Sequence, residues 1–432
     1  MDRRLQNRYV KLVQAHMHNA SSTAAGPTAA VASTTALAAT QAAWRFLNNE
    51  RVTLAALAAP LQEAGREAAR ADTAPVALVV HDWSRLNYGE HVSKQDRARF
   101  THDHDIGYEL ATNLLVSASD GSPLAPMQMQ LTTGNGVHST ATAKHDGAAD
   151  LSHIDQVLAA MNASWSWNIG KPLVHIIDRE ADSVDHYRQW DADGHLFLVR
   201  GDDRCVLYEG RECRLSQVAQ RLLAGDSITD GGTVRYRDRP AQQQVAQSVV
   251  TLHRPGKKRV NGRREAVPGR PLELRLVVSR IRDAAGKTLA TWLLLTNVRQ
   301  EDADAATIAR WYYWRWRIES FFKLLKSHNQ QIEQWQQETG AAILRRLLVA
   351  TMACVTVWDL QRQRGTDAMR MKDLLVRLSG RQMKRNKPHT DPALLAGLFV
   401  LLPMLALLHE HGGNLQHLES LARKTLPFFN TA

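Results

Sequence analysis

Leu173-Val174-His175-Ile176-Ile177-Asp178-Arg179-Glu180 is a short apolar run that stops on an acid, a base and a second acid. An apolar run this short suits a strand buried on both faces better than a helix, which needs more length. Residues 76–80 (Val-Ala-Leu-Val-Val) repeat the pattern and run into His81-Asp82. Strand-like stretches follow at 107–118 and 127–132, parted by an Asp120-Gly121-Ser122 turn. Residues 151–161 have helical spacing, 186–190 sit in a second helix, and 196–200 read as a strand. From about 205 to 290 short alternating segments (233–236, 247–252, 272–278) lie between Gly, Pro and Arg, which predicts a β-rich insert. Residues 292–298 form one more strand, and from 304 the chain is helical almost to its end. That order predicts an α/β fold in which a second module interrupts the core and helical parts flank it.

Composition narrows the chemistry. A 432-residue chain that is 44% hydrophobic can bury a core without covalent staples and is not broadly disordered. Lys and Arg outnumber Asp and Glu by 54 to 43, a net +11 that calls for an anionic partner, nucleic acid or membrane surface. Cys205, Cys213 and Cys354 make no disulfide framework and no C-x-x-C pair. The long apolar run, residues 393–408, is broken by Gly397 and Pro403 and falls short of the ~20 residues of a spanning helix. No signal-peptide core and no G-x-x-x-x-G-K-[ST] loop occurs, so we expect a soluble, intracellular protein without membrane segment or nucleotide cofactor. The first seventy residues read as helical at 4–17 and 54–69, around a low-complexity stretch at 21–40, and carry a small basic cluster of Arg3, Arg4, Arg8 and Lys11.

Residues 311–326 hold Tyr312, Arg315, Glu319 and Lys326 in the spacing Y-x2-R-x3-E-x6-K. At about 100° per residue these four share one helical stripe about 60° wide. A carboxylate between cations and a hydroxyl suits a metal-bound phosphodiester. A solvated face with an Arg315–Glu319 i,i+4 pair is the plainer alternative, disfavoured by the crowd of Trp314, Trp316, Phe321 and Phe322. Asp82 and Asp178 stand at strand ends, where α/β sheets place ligands, although one such aspartate alone is more often a turn or helix cap. With Glu319 they make a three-carboxylate set able to hold two divalent ions.

Two blocks, His175-Ile-Ile-Asp178-Arg179-Glu180-Ala181-Asp182 and Tyr312-x2-Arg315-Trp316-Arg317-Ile318-Glu319-x6-Lys326, resemble the signatures of a bacterial transposase family. It is the insertion-sequence-four family of DDE enzymes, which carry a Tyr-Arg-Glu-Lys motif. The Asp82 block and Thr291-Trp292-Leu-Leu-Leu-Thr296 add to the likeness, which covers roughly residues 75–335. The resemblance implies an RNase H-like catalytic core and a cut-and-paste DNA transposase with Asp82, Asp178 and Glu319 as catalytic metal ligands. It implies two Mg²⁺ ions, replaceable by Mn²⁺, and double-stranded DNA partners, the element's inverted ends and a target. It places Tyr312, Arg315 and Lys326 on phosphates near the cut and Trp292 and Trp316 beside an unstacked base. Arg179 and Arg200 would line the same pocket, with Arg317 and Lys323 as further DNA contacts. Because two ends are processed together, a homodimer is expected, in the bacterial cytoplasm and on the nucleoid when DNA is bound.

The expected division is an end-binding helical domain at 1–72, core at 73–204 and 291–338, insert at 205–290, and a helical dimerisation region at 339–432. Within the insert, residues 254–270 concentrate basic side chains, among them Lys257, Lys258 and Arg259, and suggest a loop or hairpin tip on duplex phosphates. His102-Asp103-His104-Asp105 has possible zinc-pair spacing but no further ligands nearby, so a polar loop is expected. Two rivals are a nuclease on the same core that cuts without joining, and a catalytically silent DNA-binding inhibitor or repressor. The intact stripe and triad disfavour both.

Overall fold

The computed structural model describes residues 3–18, 36–141, 151–225, 227–237, 239–260, 263–326, 330–381 and 389–410, with single positions at 413, 416 and 420. The chain opens with α1 (Arg3–His18), α2 (Ala36–Leu47) and α3 (Leu54–Ala71). Strands β1 (Ala77–Asn87), β2 (Ala98–Arg99), β3 (Ile106–Ser117), β4 (Pro123–Thr133) and β5 (Gly136–Ser139) follow. Then come α4 (His153–Ser164), β6 (Leu173–Ile177), α5 (Val184–Ala192) and β7 (Leu196–Arg200). The insert contributes β8 (Cys205–Tyr208), β9 (Arg211–Arg214), α6 (Leu215–Ala224), β10 (Thr229–Tyr236), β11 (Arg239–Leu252), β12 (Gly256–Val260), β13 (Arg263–Val267) and β14 (Leu272–Arg282). The chain closes with β15 (Thr288–Thr296), α7 (Ala305–Tyr313), α8 (Trp316–Lys326), α9 (Gly340–Arg362), α10 (Thr366–Leu378) and α11 (Asp391–Glu410).

One 13-stranded sheet runs β5-β4-β3-β1-β6-β7-β15-β14-β11-β8-β9, with β2 on β3 and β10 on β11. β1 lies antiparallel to β3 along its whole length and parallel to β6 from Ala77↔Leu173 to His81↔Ile177. β6 is in turn parallel to β7. Three antiparallel strands beside two parallel ones, with the first strand in the middle, is the RNase H-like arrangement. Strand β1 does not stop at Asp82, as its apolar run suggests. It continues to Asn87 because β3 keeps pairing with it, and Asp82 lies one residue past the last β6 partner.

The insert is joined to this core rather than set apart from it. β15 pairs antiparallel with β7, and β14 and β11 extend the same sheet. Only the β12–β13 hairpin forms a sheet of its own among the described residues.

Alternation sorts the strand side chains onto two faces. Leu78, Val80, Val174, Ile176, Leu198 and Leu294 share a core with Ile308, Ile318, Phe321 and Leu347 of the C-terminal helices. Ile177, Phe197, Val199 and Leu295 pack on the other face with Val157, Tyr187, Trp190 and Val218. Tyr9, Leu12, Phe46 and Leu57 of the N-terminal helices belong to the first of these cores, so helices from both ends of the chain share it.

Helix α9 is long and apolar enough to cross a membrane, yet most of it is buried inside the protein, where it serves as the core helix. Its N-terminus is held by Asp96, whose carboxylate accepts the Gly340 N–H at 2.9 and 3.1 Å and the Tyr108 hydroxyl at 2.6 Å. Arg345 of α9 donates to the carbonyls of Leu47 and Val52, at 3.0 and 2.9 Å, and ties the α2–α3 link to it.

Gly121, in the β3–β4 turn, has φ +71°, and a Cβ there would meet the Trp314 ring at 2.5 Å. Gly121→Ala should therefore combine backbone strain with a clash and cost about 1–3 kcal/mol, read as a lower urea midpoint. An unchanged midpoint would show that Trp314 yields freely and does not seat the helix pair on this turn.

Candidate active site

The segment 311–326 is two helices, not one. α7 is capped by Asp304, which accepts the Thr307 N–H at 2.8 Å, and it ends at Tyr313. Trp314 and Arg315 then make a tight turn, with Arg315 N–H bonded to the Tyr312 carbonyl at 3.1 Å and Arg317 N–H to that of Trp314 at 2.9 Å. These i→i+3 closures take Arg315 out of the regular helix, which a single 3.6-residue period over the segment does not anticipate.

That turn carries Arg315 into the middle of the acids. Its Nη1 lies 3.1 Å from Asp82 Oδ2, and its Nη2 lies 2.6 Å from Glu319 Oε1 and 3.4 Å from Asp178 Oδ2. Three carboxylates from β1, the end of β6 and the first turn of α8 thus converge on one guanidinium that is only 5% exposed. Asp178 also caps the short turn after β6, accepting the Arg179 N–H at 2.7 Å, so the cap and the site reading hold together. The Tyr312 hydroxyl donates to Asp178 Oδ1 at 3.0 Å, and Arg200 stands 3.8 Å from the same oxygen.

Burial sets the two aspartates apart. It lifts the Asp82 carboxyl to about 6, despite the opposing pull of Arg315 and the Trp83 N–H. Asp178 is also desolvated, but Arg315, the Arg179 N–H, Tyr312 and Arg200 outweigh this and hold it below the usual range. Burial, with the charge of Asp178, raises the Tyr312 hydroxyl, so it stays a donor.

The donor chemistry fits a divalent ion, since carboxylate oxygens gathered on one cation suit Mg²⁺ or Mn²⁺. As the chain stands, no three such groups share a common point free for an ion among the described residues. The guanidinium lies between them.

The remaining predicted residues divide. Trp316 is half-exposed, with the Arg315 guanidinium carbon 5.4 Å from its ring centre. Trp292, for which the resemblance implies a place beside an unstacked base and its Leu-Leu-Leu strand suggests core packing, is buried edge-on against Tyr312 at 5.2 Å, where it buttresses that tyrosine. Lys326, expected on the shared stripe, turns to the Arg85 carbonyl and lies 3.6 Å from Glu333. Arg179 pairs with Asp202 at 3.0 Å. Arg317 and Lys323 are exposed on α8. Lys257 is exposed on the β12–β13 hairpin, whereas the side chains of Lys258 and Arg259 lie outside the described residues. His102 and His104 stack on each other in an exposed loop.

One cluster has no single motif in the sequence. His153 bridges Glu109 and Glu180, each at 3.0 Å, and its ring stacks on Trp83 at 4.2 Å, next to Asp82. Its members come from four separated segments, and the signal available was Glu180 inside the Asp178 block. Burial works against the imidazolium, but the two glutamates prevail and raise its pKa from 6.5 to about 9. Stabilisation from a raised histidine is full below the unfolded value and fades as pH climbs through the folded one. His153→Gln should thus cost about 1–2 kcal/mol near pH 6 and almost nothing near pH 10. Denaturant midpoints that differ equally at both pH values would sink the ion-pair account.

Comparison with known proteins bears on this geometry. The transposase DDE domain family model matches residues 79–356, more than half of the chain and including all three acids. No curated protein matches the chain. A solved piggyBac transposase synaptic complex with hairpin DNA aligns over 76% of this chain and 52% of its own, at 7% identity and a TM-score of 0.32. The chain spans about half the length of that transposase. With the family model covering more than half of the chain and the sheet that carries these acids, this chain belongs to the DDE transposase domain family.

Proposed function

We propose that this protein is a cut-and-paste transposase of the insertion-sequence-four group, which binds the inverted ends of its element, cleaves them and joins them to target DNA. The convergence of Asp82, Asp178 and Glu319 on one cation centre carries this reading. Those three side chains would hold two Mg²⁺ ions, or Mn²⁺ in their place. When bound, such ions supply a nucleophile at neutral pH and stabilise charge on the attacking and leaving oxygens.

The chain's own groups supply position and charge. Tyr312 orients Asp178 through its hydroxyl, and buried Trp292 fixes Tyr312. Arg200 and Arg315 offer guanidinium groups beside the acids, where a scissile phosphate would lie. Exposed Trp316, Arg317 and Lys323 extend this surface along α8, with Arg179 at its edge and Lys326 at the far end of that helix. The basic hairpin with Lys257, Lys258 and Arg259 follows duplex phosphates. Two ends processed together require two copies of the chain, acting on cytoplasmic DNA.

The decisive experiment is excision of a marker bracketed by the terminal sequences that flank the gene, comparing the natural chain with Glu319→Gln. Excision should need Mg²⁺ and fall by at least about 10³-fold in the variant, the scale of losing a group that acts only in the transition state. Equal excision by both would remove Glu319 from the site, and end binding without cleavage by either would favour a silent DNA-binding protein. Separately, Lys257→Ala with Lys258→Ala should weaken DNA binding and flatten its salt dependence by about 0.9 in log–log slope per lost contact. An unchanged slope returns the hairpin to a solvated face.

A further inference from the structure

We propose that Arg315 occupies the ion site of the DNA-free protein, so that ion entry and withdrawal of its guanidinium are a single exchange. This rests on the reading of Asp82, Asp178 and Glu319 as ion ligands and names the group an incoming ion must displace.

Four features carry it. The two Nη atoms reach all three acids, at 3.1, 3.4 and 2.6 Å, which is where an ion shared by those carboxylates would compete. The buried Nε has no hydrogen-bond partner, so the hold on the head group comes through those Nη contacts. Arg315 lies in the turn between α7 and α8, and its side chain can swing without opening either helical ladder. The half-exposed Trp316 ring, already 5.4 Å from the guanidinium carbon, offers a face on which the head group can settle once withdrawn.

Charge favours the exchange. A divalent ion and a guanidinium cannot both sit on the same carboxylate oxygens without strong repulsion at such short range. Phosphate is the other partner a guanidinium binds in two-pronged fashion, so a DNA phosphate near Trp316 would draw Arg315 outward. By linkage, whatever helps DNA take Arg315 also tightens ion binding, and the reverse. The acids would then be partly balanced by arginine before DNA arrives and by metal afterwards.

The test is a Mn²⁺ titration of the full chain, followed by the electron-spin signal of free Mn²⁺, on wild type, Arg315→Gln and the double variant Arg315→Gln with Glu319→Gln. Arg315→Gln should bind Mn²⁺ on the order of tenfold more tightly than wild type, within the usual span of coupling between competing ligands. The double variant should lose that gain. Equal affinity in wild type and Arg315→Gln overturns the exchange and leaves the ion site standing. No Mn²⁺ binding by either, with or without end DNA, overturns the ion reading and the exchange with it. If Arg315→Gln does not fold in metal-free buffer, refolding is followed by circular dichroism in Mn²⁺ and in K⁺. Recovery in Mn²⁺ alone is the outcome expected, and recovery in neither overturns the proposal.

Discussion

A nearly buried guanidinium that holds three carboxylates from three separate elements is the constraint the rest of the molecule satisfies. Burying those charges is tolerable only because each finds a partner, and removing one partner would leave the others exposed to a low dielectric. Asp82 and Asp178 are brought side by side by the parallel β1–β6 register, and Glu319 reaches them because α8 packs across that end of the sheet. The seat of the helix pair is prepared elsewhere, at Gly121 beneath Trp314 and in the shared core of Ile318, Phe321 and Leu347.

The two faces of the same strands handle polar groups in opposite ways. On the acid face, desolvation is met by opposite charge. On the other, His81 and His175 bond each other at 2.9 Å, and burial pushes His81 down to about 3 and His175 well below its usual range. Both histidines are therefore neutral core residues, although each lies close in sequence to a candidate ligand. Alternation along a strand, and nothing in the residue types, decides which side of this divide a polar group falls on.

Much of the fold was legible because β6, β7 and the first half of β1 are short apolar runs that meet a charge, so these strands and the acids beside them announce themselves. The three acids were readable as separate residues, and their meeting follows from register. Less legible were features that depend on contacts across the chain. Residues 311–326 keep one period through a turn that the backbone breaks, which hid the change in direction at Arg315. Trp292 has the same composition of neighbours whether it faces a ligand or a tyrosine, and only its burial separates the two. The switch to alternating segments after 205 looked like a separate module, while its strands in fact continue the core sheet. His153 drew no notice because Trp83, Glu109 and Glu180 are its neighbours only in space.

That continuity bears on how the chain tolerates change over evolutionary time. Without β14 and β11, strand β15 would become a naked edge, open to pairing with other chains. Wholesale deletion of the insert is thus a route to aggregation more than to a smaller enzyme. Among the described residues the β12–β13 hairpin pairs only with itself in strand terms, and can lengthen, shrink or exchange its charges while the sheet stays sealed. Variation in length and charge has its cheapest outlet there.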